Sequence, residues 1–522
     1  MSRGLLRSTT VFSAMTFISR VLGFVRDMVF AYFFGAHGGF DAFVLAFKIP
    51  NFMRGLFAEG AFSQAFVPVL SEYHTQRPEA EVKAFIDRMA GTLAVLLLIT
   101  TLLLEAATPV LVTLFAPGFV DDPVRFALAS DMLRVTFPYL FLISLTAFCG
   151  SVLNSVGRFA APAFNPVLLN VALIAAAVVA SAWFKVPVKS LAWGVFFGGV
   201  IQFLFLIPFL WRKGLLPRPR WGWGDPGVRR VLRLMVPALF GVSVAQIGLL
   251  MDTLFASFLP QGSISWLYYS QQLTFFPLGV FGVALATVVL PHLSRHHARQ
   301  SKEGFDNAFD WALRCVLVIA LPSCVGLVIL AGPLLATLFN SGGAFAEHDV
   351  LMARLSLMAF SIGVPGFMLV KVLASGFYSR QNIKTPVRIG VIALTTNIVL
   401  NCLLFWPLKH AGIALATALS SSLNAGLLFY QLRKGGQFSP RPGWGTYLLR
   451  LGFANVMLIM MLLIFVPAIS EWMEMGNFVR VMHLTAWVMG SVIVYLLCLY
   501  LTGLRLGDFR VHENILDGAE RS

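Results

Sequence analysis

The chain has 522 residues, 58% of them hydrophobic and 12% charged, with 48 Phe and a formal charge of +15. Such an apolar fraction excludes an ordinary soluble domain. Apolar runs of roughly 18–25 residues recur throughout, each long enough to cross about 30 Å of hydrocarbon as a helix and none alternating like a barrel strand, which indicates an all-α integral membrane protein.

Taken in chain order, Arg3 and Arg7 precede the first run, but Arg20 and Arg26 inside it and the lack of a small-residue cleavage site argue for an uncleaved helix rather than a signal peptide. Helices are expected over 9–34, 41–73, 80–106, 129–156, 162–184, 188–211, 229–259, 264–294, 305–332, 350–379, 385–406, 411–434, 444–468 and 478–503, about fourteen spans. Arg77, Lys83, Arg158, Arg212, Lys213, Arg218, Arg220, Arg295, Arg299, Lys302, Arg380, Lys384, Arg433 and Lys434 fall in alternate loops, while the loops 35–40, 260–263 and 333–349 hold no Lys or Arg. The positive-inside rule then places both termini in the cytoplasm, and the basic charge reads as an orientation signal, not as a nucleic-acid face.

The segment 215–227, with Pro217, Pro219 and Pro226, reads as a linker between an N-terminal lobe (1–214) and a C-terminal lobe (228–437), with 438–522 as an appendage of two helices and a tail. Weak self-similarity supports pseudo-symmetric six-helix lobes. Ala61, Pro68, Leu70 and Ser71 recur in spacing as Ala284, Pro291, Leu293 and Ser294; Ser155 and Pro162 as Ser379 and Pro386; Leu191 and Gln202 as Ile413 and Asn424. Cys149, Cys315, Cys324, Cys402 and Cys498 lie in or beside apolar segments with no CxxC spacing, which indicates packing and neither a disulfide framework nor zinc.

The first hairpin concentrates charge where charge is normally excluded: Arg20, Arg26, Asp27, Asp41, Lys48, Arg54 and Glu59. A charge near the bilayer centre costs roughly 2.5–3.5 kcal/mol on insertion scales, so such groups line cavities or find buried partners. Arg20 and Asp27, seven apart, share a helix face, and Arg26 is turned away from it. Lys48, Pro50, Asn51 and Arg54 surround an expected kink, because Pro50 removes a donor and leaves an upstream carbonyl unpaired. The excess of cations points to an anion site, with structural ion pairing as the alternative. A second set, Asp252, Asn397, Asn401 and Thr417, offers the oxygens that a hard cation such as sodium prefers; a packing network or a proton site fits the same residues. Asp310 and Arg314 are spaced for a local ion pair, and Lys371 can face a cavity or snorkel. No GxSxG, HExxH or Walker loop is present, so an enzyme is not indicated.

Ser19-Arg20-Val21-Leu22-Gly23-Phe24-Val25-Arg26-Asp27, Asp41-Ala42-Phe43, Phe47-Lys48-Ile49-Pro50-Asn51, Arg54 and Phe57-Ala58-Glu59-Gly60-Ala61-Phe62 closely resemble the MurJ (MviN) family of lipid II flippases. So do Gly376-Phe377-Tyr378-Ser379-Arg380-Gln381, Lys384-Thr385-Pro386 and Pro407-Leu408-Lys409-His410-Ala411-Gly412. The resemblance implies a member of the multidrug/oligosaccharidyl-lipid/polysaccharide exporter superfamily. It implies two lobes about a central cationic cavity, two further helices forming a lipid-facing groove, and alternating access that carries lipid II from the cytoplasmic to the periplasmic leaflet for peptidoglycan synthesis. Arg20, Arg26 and Arg54 resemble the family's cavity arginines, and Asp27, Asp41, Asn51 and Glu59 its cavity-lining or gating polar residues. Gln272, after Trp266-Leu267-Tyr268-Tyr269, stands where relatives carry an Arg. Asp252, Asn397, Asn401 and Thr417 resemble a sodium site of some relatives, sodium being the sole cofactor implied. Lipid II, membrane lipid and cell-wall synthesis proteins are the implied partners of a monomer in the bacterial inner membrane. The rival function is a cation-coupled drug exporter, or an exporter of another polyprenyl-linked oligosaccharide, of the same superfamily.

Overall fold

The computed structural model describes residues 3–56 and 62–505. Glu59, one of the expected site residues, lies outside the described residues. Among them the chain is helical and contains no strand, as the apolar runs require: in hydrocarbon a backbone must satisfy its own polar groups, and a helix does so within one segment. The helices are α1 (Arg3–Phe34), α2 (Gly38–Arg54), α3 (Ser63–Gln76), α4 (Glu79–Ala106), α5 (Thr108–Phe115), α6 (Pro123–Ser155), α7 (Ala160–Val178), α8 (Lys189–Trp211), α9 (Pro226–Ser257) and α10 (Ser263–Pro277). They continue with α11 (Val283–Ala298), α12 (Lys302–Ile329), α13 (Ala331–Leu338), α14 (Glu347–Ile362), α15 (Val364–Tyr378), α16 (Lys384–Lys434), α17 (Trp444–Phe465), α18 (Ile469–Glu474) and α19 (Asn477–Leu501).

Nine helical stretches among the described residues are long and apolar enough to cross a membrane. The chain is therefore a multi-pass membrane protein. Helix is found at each of the stretches expected to span, which is compatible with the expected count of about fourteen. The expected eleventh and twelfth helices are the two parts of α16, which breaks in the expected turn between them at Lys409, with φ 49° and ψ −130°, two residues after Pro407. The expected tenth helix divides at Gly363 into α14 and α15. The short helices α5, α13 and α18 fall in stretches expected to be loops.

By contacts the chain divides into two compact units, 1–265 and 266–522. In the first, α1, α2, α6, α7 and α8 pack side by side. Beside them an aromatic core joins α3, α4 and α6, with Phe62 and Phe66 stacked at 4.9 Å and Phe66 against Phe148 at 5.2 Å. Helix ends are closed by local acceptors: Asp122 takes the Arg125 N–H at the start of α6, and Asp225 takes those of Gly227 and Val228 at the start of α9.

The second unit is built on α11, α12, α15 and α16, around Phe305, Phe309, Val372 and Leu428. Helices α17 and α19 pack on each other and on α12. The expected Asp310–Arg314 pair forms at 2.8 Å, and Asp310 also accepts from Trp444 Nε1 at 2.6 Å and from the Arg441 N–H at 3.1 Å. Lys371 is exposed on α15.

Candidate functional site

The first unit encloses a cavity of about 470 Å³ lined from α1, α2, α3, α6, α7 and α8. Its α6 wall is one helical stripe: Ile143, Thr146, Ala147, Gly150, Ser151 and Asn154 follow spacings of three and four. The small residues at the middle of that stripe leave the space, and the polar ones line it. Asn165 and Asn170 of α7 and Gln202 of α8 add carboxamides. Among the described residues the lining includes Arg26 and Arg54 and no carboxylate.

The sequence places the cations through α1 and α2. Arg26 is 9% exposed and donates from Nε and Nη2 to Asp27 Oδ1 at 3.0 and 2.7 Å, and from Nη1 to Asn170 Oδ1 at 3.0 Å. Asn170 in turn donates from Nδ2 to the Ser19 carbonyl at 3.0 Å. One carboxamide thus bridges the backbone of α1 and the guanidinium that projects from it, fixing the plane of Arg26. Arg54, one turn beyond Asn51, donates from Nε to Asn51 Oδ1 at 3.2 Å. Pro50 acts as expected: its missing N–H leaves the Ala46 carbonyl without a helical partner, and the Thr136 hydroxyl of α6 donates to that carbonyl at 2.8 Å. At Pro50, α2 is thereby tied to the helix that forms the opposite wall.

The remaining expected residues are distributed more widely. Arg20 is exposed on α1 and is not among the residues lining this cavity. Asp27 is buried and pairs with its neighbour Arg26. Asp41 is fully buried at the opening turn of α2. It accepts the N–H groups of Gly262 and Ser265 at 2.7 and 2.8 Å and the Ser265 hydroxyl at 2.6 Å, with Arg125 Nη1 at 3.5 Å. Asp41 therefore binds backbone donors instead of lining the cavity. Lys48 donates to Thr253 Oγ1 of α9 at 2.9 Å and feels the field of Asp252 on the same helix. In the second unit Asn397 donates to Thr417 Oγ1 at 3.0 Å, and Asn401 to Asn397 Oδ1 at 3.2 Å. Asn401 Oδ1 is buried without a hydrogen-bond partner among the described residues. Gln272 is half-buried on α10 in the second unit.

A family model described as "Lipid II flippase MurJ" matches residues 30–484. The chain belongs to that family. It is similar to the "Probable lipid II flippase MurJ" of Vibrio cholerae serotype O1, at 46% identity over 516 residues and 98% of each chain. It is similar also to the "Lipid II flippase MurJ" of Burkholderia cenocepacia, at 43% identity over 458 residues, 87% of this chain and 89% of the other. Among solved structures, "Lipid II flippase MurJ, inward closed conformation" matches with a TM-score of 0.80 and 26% identity, covering 94% of this chain and 98% of that one. A multidrug resistance MATE family transporter in an inward-facing conformation shares the fold at a TM-score of 0.67 and 15% identity. The family is one of transporters, not of enzymes.

Sequence reasoning found Arg26, Asn51 and Arg54 but not Asn154, Asn165, Asn170 or Gln202. The signal for the first of these was the small-and-polar stripe on α6. A neutral carboxamide by itself carries no such mark, because the same residue serves equally in helix packing.

Proposed function

We propose that the chain moves lipid II from the cytoplasmic to the periplasmic leaflet of the bacterial inner membrane by alternating access, with both termini in the cytoplasm. The observation that carries this reading is the lining of the first unit's cavity. Two arginines stand on α1 and α2, hydroxyls and carboxamides stand on α6, α7 and α8, and no carboxylate is present among the described lining residues. Such a wall suits a ligand that joins an anionic diphosphate to a hydroxyl- and amide-rich head group. Guanidinium forks donate to phosphate oxygens, while Asn, Ser, Thr and Gln exchange with sugar and peptide groups the hydrogen bonds that water would otherwise supply. A drug exporter selecting organic cations calls for the opposite charge. Arg20, on the same helix as Arg26, completes the cationic set in this reading, and the polyprenyl tail remains in the bilayer beside α17 and α19.

Asn397, Asn401 and Thr417 offer oxygens to a sodium ion, Asn401 Oδ1 being the one with no hydrogen-bond partner among the described residues.

Proteoliposomes carrying labelled lipid II test the proposal: the wild-type chain is expected to expose the head group at the opposite face, and Arg26→Ala and Arg54→Ala to reduce that exposure at least about tenfold, a loss of 1.4 kcal/mol or more. Unchanged exposure with folded wild-type protein overturns the transport reading. Full activity of both variants overturns the clamp alone.

A further inference from the structure

The loop 212–225 between α8 and α9 is held firmly on its inner side and carries its charge outward. The Asp87 carboxylate accepts the Arg218 N–H at 2.8 Å, the Asp87 carbonyl accepts the Arg220 N–H at 3.0 Å, and the Thr92 hydroxyl accepts the Gly222 N–H at 3.1 Å. Gly91 of α4 permits this approach, because the backbone of Arg220 fills the place of any Cβ there. Arg88 closes the strap on Asp225 at 2.6 Å. With its backbone so fixed, the loop turns Arg218, Arg220, Trp221 and Trp223 away from the protein. The two indoles lie nearly parallel, 5.9 Å apart and 7° from coplanar, and remain 61% and 46% exposed. Trp211, Arg212, Lys213, Arg229 and Arg233 are exposed beside them.

The acids of this face are already engaged: Glu72 with Arg230, Asp87 with Lys83, Asp225 with Arg88 and Glu81 with Arg77. Glu79 is the one other exposed carboxylate on the adjoining first turn of α4. A positive excess remains around a rigid tryptophan pair. The loop follows α8, one of the helices long and apolar enough to cross a membrane, and leads into α9, which begins an expected span, so the pair is expected at the level where indoles partition, rings toward the acyl chains and N–H groups toward the head groups.

We propose that the loop 212–225 is a docking surface for the phosphate head groups of anionic glycerophospholipids in the leaflet where α8 ends and α9 begins. Arg218 and Arg220 hold phosphate oxygens, and Trp221 and Trp223 seat the loop at the glycerol level. This surface is separate from the cavity and does not depend on what the cavity transports.

The test uses the full chain in phosphatidylcholine vesicles containing a minor share of phosphatidylglycerol, with a nitroxide quencher on the upper acyl chain of one lipid or the other. The readout is the fluorescence quenching lost in Trp221→Phe/Trp223→Phe. At equal label density, labelled phosphatidylglycerol is expected to quench the pair several-fold more than labelled phosphatidylcholine, since each basic residue near the surface is worth about a fivefold enrichment. The excess is expected to fall several-fold in Arg218→Gln/Arg220→Gln, to shrink in about 0.5 M NaCl through screening, and to persist in Arg218→Lys/Arg220→Lys. Equal quenching by the two lipids, no quenching by either, or an excess undiminished in the Gln pair overturns the proposal. If the Gln pair fails to fold, the salt titration of the wild-type chain decides: an excess insensitive to salt overturns the proposal, and one that shrinks supports it.

Discussion

The Thr136 hydroxyl reaches the Ala46 carbonyl at 2.8 Å and so satisfies the backbone group that Pro50 leaves unpaired. This single bond connects α2 beside Pro50 to the α6 wall of the cavity. Thr136→Val keeps the shape and removes the donor, and is expected to cost about 1–3 kcal/mol, the penalty of an orphaned buried carbonyl. Pro50→Ala restores a main-chain donor for Ala46, so in that background Thr136→Val is expected to cost much less. Unfolding of the purified protein for the two single variants and the double variant gives the coupling; strict additivity would show that the Thr136 bond and the donor missing at Pro50 are independent.

Asn170 is expected to matter to transport through Arg26, not as a separate ligand. Asn170→Ala removes a hydrogen bond to a charged donor, worth about 1.5–3 kcal/mol, and releases the plane of the guanidinium from α7. Lipid II exposure in proteoliposomes is expected to fall about tenfold or more. Asn170→Asp, which adds a second carboxylate against Arg26, is expected to fall further because it neutralises the cation as well as holding it. Wild-type rates in both variants would remove Asn170 from the positioning of Arg26.

The α1–α2 hairpin was legible because charges within an apolar run must line a cavity or find a buried partner, and Arg26, Asn51 and Arg54 do meet at one cavity. Pro50 announced an unpaired carbonyl but not its rescuer, since Thr136 is brought to it only by the packing of α6. Asp41 looked like one more polar group of the hairpin; that it grips the N–H groups of Gly262 and Ser265, over two hundred positions away in the chain, has no local signature. Arg480 drew no notice because its partners are backbone carbonyls, which every residue carries. Lys409 breaks α16 inside the turn expected between 406 and 411, although an ordinary polar residue does not by itself announce a positive φ.

Asp41→Ala strips the acceptor from two backbone N–H groups, the Ser265 hydroxyl and Arg125 in a fully buried place. The expected loss is about 3–5 kcal/mol, the range for breaking a buried charge pair, with Arg125 retaining Asp122 at 3.1 Å. Asp41→Asn keeps one acceptor oxygen and is expected to lose clearly less. Thermal unfolding in detergent separates the two, and equal losses would mean that charge, not acceptor count, governs the contact.

His296, near the end of α11, lies outside the expected span, where burial chiefly, and then Arg299 and Arg295, push its imidazole below the ordinary value of 6.5. A base whose folded pKa is depressed binds its proton more readily when unfolded. Its contribution is therefore fully retained above about pH 6.5 and lost as the pH falls through the folded value. Stability is expected to decline on acidification from pH 7 to 5, with a shallower slope in His296→Gln. Parallel slopes in the two proteins would assign the decline to other groups.

Arg480 lies on the first turn of α19 at 5% exposure and gives its donors to neutral oxygens among the described residues. Nε meets the Trp472 carbonyl at 3.0 Å, Nη2 the Met473 carbonyl at 2.6 Å, and Nη1 the Asn340 carbonyl at 2.9 Å and the Ala336 carbonyl at 3.3 Å. Ala336 and Asn340 lie at the C-terminal end of α13, where unpaired carbonyls concentrate partial negative charge, so the guanidinium is held by a helix end in place of a carboxylate. This side chain fastens the α18–α19 corner to the end of α13 within the second unit, beside the Trp472–Thr337 and Asn477–Ser341 bonds. Lysine offers a single point of donation and is unable to span these acceptors. Arg480→Lys is therefore expected to lose nearly as much as Arg480→Ala, roughly 2–5 kcal/mol from breaking a buried network of charge-assisted hydrogen bonds. The loss should be local first: limited proteolysis is expected to cut the stretch 466–477 in both variants under conditions that leave the wild-type chain whole. A lysine variant as resistant as wild type would show that the positive charge suffices and that the fork of five donors is not what holds the corner.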